Sequence, residues 1–223
     1  MAQSDSVLTG TALDKRLFPG CDAPMNEAMS PTPEENLQKT TEVLSRRHAT
    51  LLFVAILALI ILADLSSKTY VFDLLETEIR HAADGTPYLI QTPMHKFFPG
   101  FAFEASINLG AFNGWFAGVT WLLIGVSGLS IPVCFWFALS MPRRSVPMVV
   151  SLALIAAGAA GNLHDRWFHG GVRDFIRCSV NIGEKEWVWP NFNIADSAIV
   201  CGVAIILMRE WILMRRAAEV SAE

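Results

Sequence analysis

Four apolar blocks, each long enough to cross a bilayer, alternate with polar or charged segments along the chain. The first follows Arg46-Arg47, and from Ala49 to Ala63 it is almost entirely Leu, Ile, Ala and Val. A spanning helix needs about 20 residues at about 1.5 Å each. The helix is therefore expected to continue through Asp64-Leu65-Ser66-Ser67-Lys68 toward Phe72, giving a span over 49–72. A second span is expected over 114–140 and carries Pro132, which a membrane helix tolerates. The third, over 145–163, ends in Ala156, Ala157, Gly158, Ala159, Ala160 and Gly161, small residues that let another helix approach closely. The fourth covers 192–213. Between the first two, Asp84-Gly85 followed by Thr86-Pro87-Tyr88-Leu89-Ile90 reads as a turn and a short extended run. The fold class expected is an all-α membrane protein, four transmembrane helices with a small extracytoplasmic β-like cradle between the first and second.

The flanks divide the chain further. Residues 1–45 are polar, with four scattered prolines, and cannot bury enough apolar surface to offset ordering entropy, so a disordered tail is expected there. The spanning domain then covers 46–216, and 217–223 form a short C-terminal tail. Arg46-Arg47, Arg143-Arg144 and the Arg209, Arg215, Arg216 group fall on one side if both termini are cytoplasmic. Arg166, Arg173, Arg177 and Lys185, between the third and fourth spans, run against that rule. Phe97, Phe98, Phe101, Phe103, Trp115, Trp167, Trp187 and Trp189 cluster at span ends, as interfacial aromatics do.

Composition agrees with a membrane protein: 52% of the 223 residues are hydrophobic and 17% charged. The net charge of −4 argues against a nucleic-acid partner. Of the four cysteines, Cys134 and Cys201 sit in apolar runs and read as small buried hydrophobes. Cys21 lies in the polar tail with no hydrophobic region before it, and no cysteine pair, Cys178 included, has metal-ligand spacing.

Ionisable groups in or beside membrane spans each ask for a reason. Asp64 and Lys68, at i and i+4, read as a structural ion pair. Asn162, Asp165 and Arg166 crowd the end of the third span; a continuing helix would put Asn162 and Asp165 on one face. Asp174 follows Gly170-Gly171 among apolar neighbours, and Asp196 lies about one turn into the fourth span. Burying that carboxylate alone is costly, although Asn193 or Asp196 could also cap helix amides. Two close carboxylates share a proton, so one can act as general base on water while the other polarises a carbonyl.

Five segments then carry a resemblance: Asp64-Leu65-Ser66-Ser67-Lys68, Asn108-Leu109-Gly110-Ala111-Phe112, Gly161-Asn162-Leu163-His164-Asp165-Arg166, Gly171-Val172-Arg173-Asp174-Phe175 and Phe192-Asn193-Ile194-Ala195-Asp196-Ser197. In this order, among four spans, they resemble signal peptidase II, the lipoprotein signal peptidase family, over roughly 45–215. The second motif is one residue shorter than the family's usual form, which has another alanine before the phenylalanine. The resemblance implies an aspartic endopeptidase with Asp174 and Asp196 as its dyad. It implies a substrate site lined by Asn108, Gly110, Asn162, Arg166 and Asn193, with Asp64, Lys68 and Asp165 in support. The implied partners are diacylglyceryl-modified prolipoproteins and membrane lipid, with neither metal nor cofactor. The implied place is the bacterial cytoplasmic (inner) membrane, active site toward the outer side.

Three other readings compete. A small transporter or proton relay would use Asp64, Asp165 and Asp196, but its acids should be spread across the membrane. A metallohydrolase would use His164, Asp165 and His169, yet histidines at i and i+5 do not share a helical face. A scaffold could keep the fold without chemistry.

Overall fold

The computed structural model describes residues 43–91, 93–110, 119–141 and 144–222. Four helices, α1 (Arg46–Leu74), α2 (Thr120–Ser140), α3 (Val146–His169) and α4 (Ile194–Ala222), are each long and apolar enough to cross a membrane. Expectations placed on 1–42 including Cys21, on Ala111 to Trp115 and on Arg143 lie outside the described residues. Residues 43–45, grouped above with the tail, are paired: Val43 bridges Ser145, the Leu44 N–H donates to the Arg144 carbonyl at 2.8 Å, and Ser45 caps α1. At the other end α4 runs on as helix through 217–222.

Helix α3 is the hub, packing on the other three, and its small residues make that possible. A Cβ on Gly158 would run into the Ala195 carbonyl oxygen and come within 2.6 Å of Ile199 Cγ1 on α4. The backbone carbonyl cannot swing away, so Gly158→Ala is expected to destabilise the bundle by about 1–3 kcal/mol, read as a fall in thermal unfolding temperature in detergent. Ala49, Phe53, Ala138, Val149, Ala153 and Ala156 form the core at the end where α1 begins. The outward faces of α1, α2 and α4 carry exposed Leu51, Leu59, Leu62, Leu122, Leu129 and Leu207. Such faces suit hydrocarbon, where no water competes. Cys134 is buried as expected, whereas Cys201 is exposed on α4.

Strands were expected only between the first two spans, and that needs correction: of the six strands among the described residues, four lie between α1 and α2 and two between α3 and α4. Strands β1 (Glu78–His81) and β2 (Pro87–Ile90) form a hairpin. Its turn uses Gly85 at φ +83°, and Asp84 Oδ1 accepts the Thr86 N–H at 2.9 Å. Strands β3 (Met94–Phe98), β4 (Phe101–Asn108), β5 (Val172–Ile182) and β6 (Lys185–Val188) make an antiparallel sheet in that order. Half of this sheet therefore comes from the segment between α3 and α4. The β-branched alternation Val172, Ile176, Val180, Ile182 favours extension, and Gly183 at φ +64° closes the β5–β6 hairpin. Val71, Phe72, Leu75, Ala105 and Phe175 form a second core that joins the sheet to α1. Pairing of Ser106 with Asp174 and of Asn108 with Val172 sets the Asn108 motif beside Asp174.

Candidate active site

Helix α3 continues to His169, six residues past the expected Leu163, and Gly170 ends it in the left-handed conformation (φ +74°). That extension puts Asn162, Asp165 and Arg166 on one helical face, all buried. Two residues on, β5 delivers Arg173 and Asp174. The start of α4 delivers Asn193 and Asp196. The Asn193 side chain accepts the Asp196 N–H at 2.9 Å while the Asp196 carboxylate accepts the Asn193 N–H at 3.3 Å, a reciprocal cap. Capping and placement of the acid are thus one arrangement.

Two asparagines join the acids. Asn193 Nδ2 donates to Asp174 Oδ1 at 2.7 Å and to Asn162 Oδ1 at 3.3 Å. Asn162 Nδ2 donates to Asp196 Oδ1 at 2.8 Å. Asp174 is 2% exposed. Burial pushes its carboxyl up to about 8, the nearby Asp196 charge adds to this, and bonds from Asn108 and Asn193 and the charge of Lys68 oppose it.

Beneath the acids lies a buried charge quartet. Lys68 Nζ sits 2.7 Å from Asp64 Oδ2 and 3.2 Å from Asp165 Oδ2. Arg173 grips Asp165 through Nη2 at 2.9 Å, and its own N–H donates to Asp165 Oδ2 at 3.0 Å. Asp64 Oδ1 accepts the Ala195 N–H at 2.9 Å, tying α1 to the first turn of α4. Asp64 and Lys68 are paired, within a network larger than the two of them. No spacing along the chain sets Arg173 beside Asp165, because the turn at Gly170-Gly171 is what brings them together. The place of Arg173 next to Asp174 is the one sequence signal that could have found it.

Arg166 donates through Nη2 to the Gly110 carbonyl at 2.8 Å, and the Gly110 N–H donates to Asn108 Oδ1 at 3.0 Å. The Arg166 Nε has no hydrogen-bond partner among the described residues. Asn108, Asn162, Arg166 and Asp196 line one end of a cavity of about 690 Å³ whose walls are chiefly apolar residues of α2, α3 and α4, among them Leu123, Val126, Ile155, Ala159 and Ile199. Asp174 and Asn193 are not among its lining residues, and Asn193 is fully buried. His81 Nε2 lies 3.3 Å from the His169 carbonyl, and the His164 and His169 rings are 6.3 Å apart. No group of three metal-ligating side chains with the geometry of a metal site occurs among the described residues.

The cations that run against the charge rule at this end have partners. Arg173 is held by Asp165, and Arg177 by Glu104 at 2.8 Å and Glu186 at 3.5 Å. Lys185 lies over the Trp187 ring.

Residues 56–212 match the model of the family described as signal peptidase (SPase) II. A lipoprotein signal peptidase of Alteromonas mediterranea is 33% identical over 162 residues, covering 73% of this chain and 81% of the relative. Another, of Teredinibacter turnerae, is 34% identical over 160 residues, covering 71% and 86%. Among solved structures, a bacterial membrane enzyme determined by the in meso method at 2.3 Å resolution is similar in fold, with a TM-score of 0.57 and 23% identity over 80% of this chain and 94% of that one. With four helices among the described residues long and apolar enough to cross a membrane and a family match over more than half of its length, the chain is a bacterial multi-pass membrane protein that belongs to the signal peptidase II family.

Proposed function

We propose that the chain is an intramembrane aspartyl endopeptidase that removes signal peptides from diacylglyceryl-modified prolipoproteins, cutting before the lipidated cysteine. One observation carries the reading: Asp196 lines an apolar cavity between spanning helices, and Asn162 and Asn193 link it to a second acid from another element, Asp174, buried just behind the wall. The apolar walls suit a signal peptide in its hydrophobic state, and the acyl chains of the substrate can stay in the bilayer. A transporter is less well supported, since Asp64, Asp165, Asp174 and Asp196 share one site instead of marking a path.

Asp174 holds the shared proton, as its burial favours, and Asp196 acts as base. Each Asp196 oxygen accepts an N–H bond, from Asn162 and from the Asn193 backbone, so the carboxylate is held in place on the cavity wall. Asp196 takes a proton from water as its oxygen attacks the scissile carbonyl carbon, while Asp174 gives its proton to the carbonyl oxygen. Collapse of the tetrahedral diol breaks the C–N bond. The proton on Asp196 goes to the leaving amine, and Asp174 regains its own. Arg166 and Asn108, on the cavity wall, position the substrate backbone, whereas Asn193 works through the acids it orients. The same reading puts the arginine-rich ends of α1 and α4, with both termini, in the cytoplasm and the sheet and dyad toward the outer side. The sheet would then form an extracytoplasmic cradle for the polar end of the substrate.

Activity needs that one shared proton, so it is lost as pH rises through the carboxyl's own range. Initial rates are expected to fall above about pH 8. A rate that stays flat to about pH 10, well past that range, would remove Asp174 as the acid. The reading itself is tested with purified protein in detergent: a diacylglyceryl-modified prolipoprotein should shift on a gel, and the unmodified precursor should not. Failure on a substrate that a related peptidase cleaves in parallel would favour the transporter or scaffold.

A further inference from the structure

Lys68 sits at a branch point that an ion pair with Asp64 does not require. Its ammonium has three protons and no acceptor, and three oxygens surround it. Two belong to Asp64 and Asp165; the third is Asn162 Oδ1 at 3.4 Å. Asn162 Oδ1 thus faces two donors, Lys68 Nζ and Asn193 Nδ2. With its oxygen committed, the amide can only point its NH2 toward Asp196, where it donates at 2.8 Å. The Asn193 amide is oriented in the same way, its oxygen taken by the Asp196 N–H and its NH2 left for Asp174.

We propose that Lys68 is a positioning residue of the dyad, fixing the Asn162 amide so that both acids receive N–H donors, and not only the counter-ion of Asp64. The proposal rests on the dyad reading above. Without Lys68, only the Asn193 N–H still holds the Asn162 oxygen, so the amide turns more readily and can bring its oxygen toward Asp196, where two acceptors repel. A positive charge also leaves the neighbourhood. Of the other charged groups, Arg166 from α3 interacts with both acids and remains, as do Asp165 from α3 and Arg173 from β5 in the quartet; Asp64 from α1 keeps its charge in Lys68→Gln and loses it in the double variant. Both changes favour protonation of the dyad, so each limb of the rate profile moves to higher pH.

The quartet of Asp64, Asp165, Lys68 and Arg173 is neutral, and Lys68→Gln alone leaves it with an excess negative charge. The double variant Asp64→Asn with Lys68→Gln keeps it balanced and guards against loss of folding. The experiment compares kcat against pH for wild type, Lys68→Gln and the double variant, as full-length protein in detergent, with the folded fraction taken from thermal unfolding. The expected result, per folded molecule, is a kcat about tenfold lower at the wild-type optimum in both variants with KM little changed, and limbs displaced upward by about one pH unit in Lys68→Gln and by less in the charge-balanced double variant. Profiles that superimpose on the wild type, or failure of both variants to fold, would overturn the proposal and leave Lys68 purely structural. Asp174→Asn is run beside them. If it retains activity, the dyad reading has failed; if it is dead while the Lys68 profiles do not move, only this inference has.

Discussion

Asp174→Asn and Asp196→Asn are each expected to fold and to lose cleavage by roughly a thousandfold or more, the scale of a general acid or base. An amide has nearly the shape of the acid it replaces, so packing in the site is preserved. In the first variant the new amide holds no transferable proton. In the second it cannot accept one from water. Asn193 still caps α4 in either variant, so the loss of stability should stay near about 1 kcal/mol. The double variant should be little worse than either single one, because the two acids act as a unit. The check is a gel-shift time course on proteins matched for monodispersity and unfolding temperature. Near-normal cleavage by one folded variant would mean that the acid replaced is not part of the dyad.

The second large effect is on stability. Asp165 is fully buried and holds both Arg173 and Lys68. Asp165→Ala leaves two buried cations with one carboxylate between them. Breaking a buried pair from one side costs about 3–5 kcal/mol, a large part of the roughly 5–15 kcal/mol that holds a domain folded. A steep drop in unfolding temperature is expected. Arg80 and Glu78 supply the comparison, with side chains 59% and 66% exposed. Glu78→Ala should cost under about 1 kcal/mol, because water screens that pair. If the two variants unfold together, the quartet does not hold the site.

Much of this was legible in the sequence, for identifiable reasons. Spanning helices announce themselves by length and apolarity, and α1 to α4 emerge close to where the runs of Leu, Ile, Val and Ala lie. The motif residues could be read because a charged or amide group beside a span is costly enough to stand out. What could not be read was their pairing. Asp165 meets Arg173 only because Gly170 turns the chain at the end of α3. Asn162, Asn193, Asp174 and Asp196 meet only because β5 and α4 start from the same place. The sheet was missed in part for a similar reason. Its strands β3 and β4 precede α2, while β5 and β6 follow α3, so no local window contains the partners. Residues 43–45 directly follow the polar segment and were grouped with it, yet they pair with Arg144 and Ser145. Asn193 illustrates the limit most plainly. Its motif suggested a substrate contact, and its side chain bonds to Asn162, Asp174, Asp196 and the Arg173 carbonyl.

The position of the cut is the sharpest test of the proposed activity. A diacylglyceryl-modified prolipoprotein is incubated with the purified protein, and the new N-terminus is identified by mass spectrometry. One product that begins with the lipidated cysteine is expected, from wild type and not from Asp174→Asn. A product beginning elsewhere, or the same product from the variant, would contradict the dyad and its assigned bond.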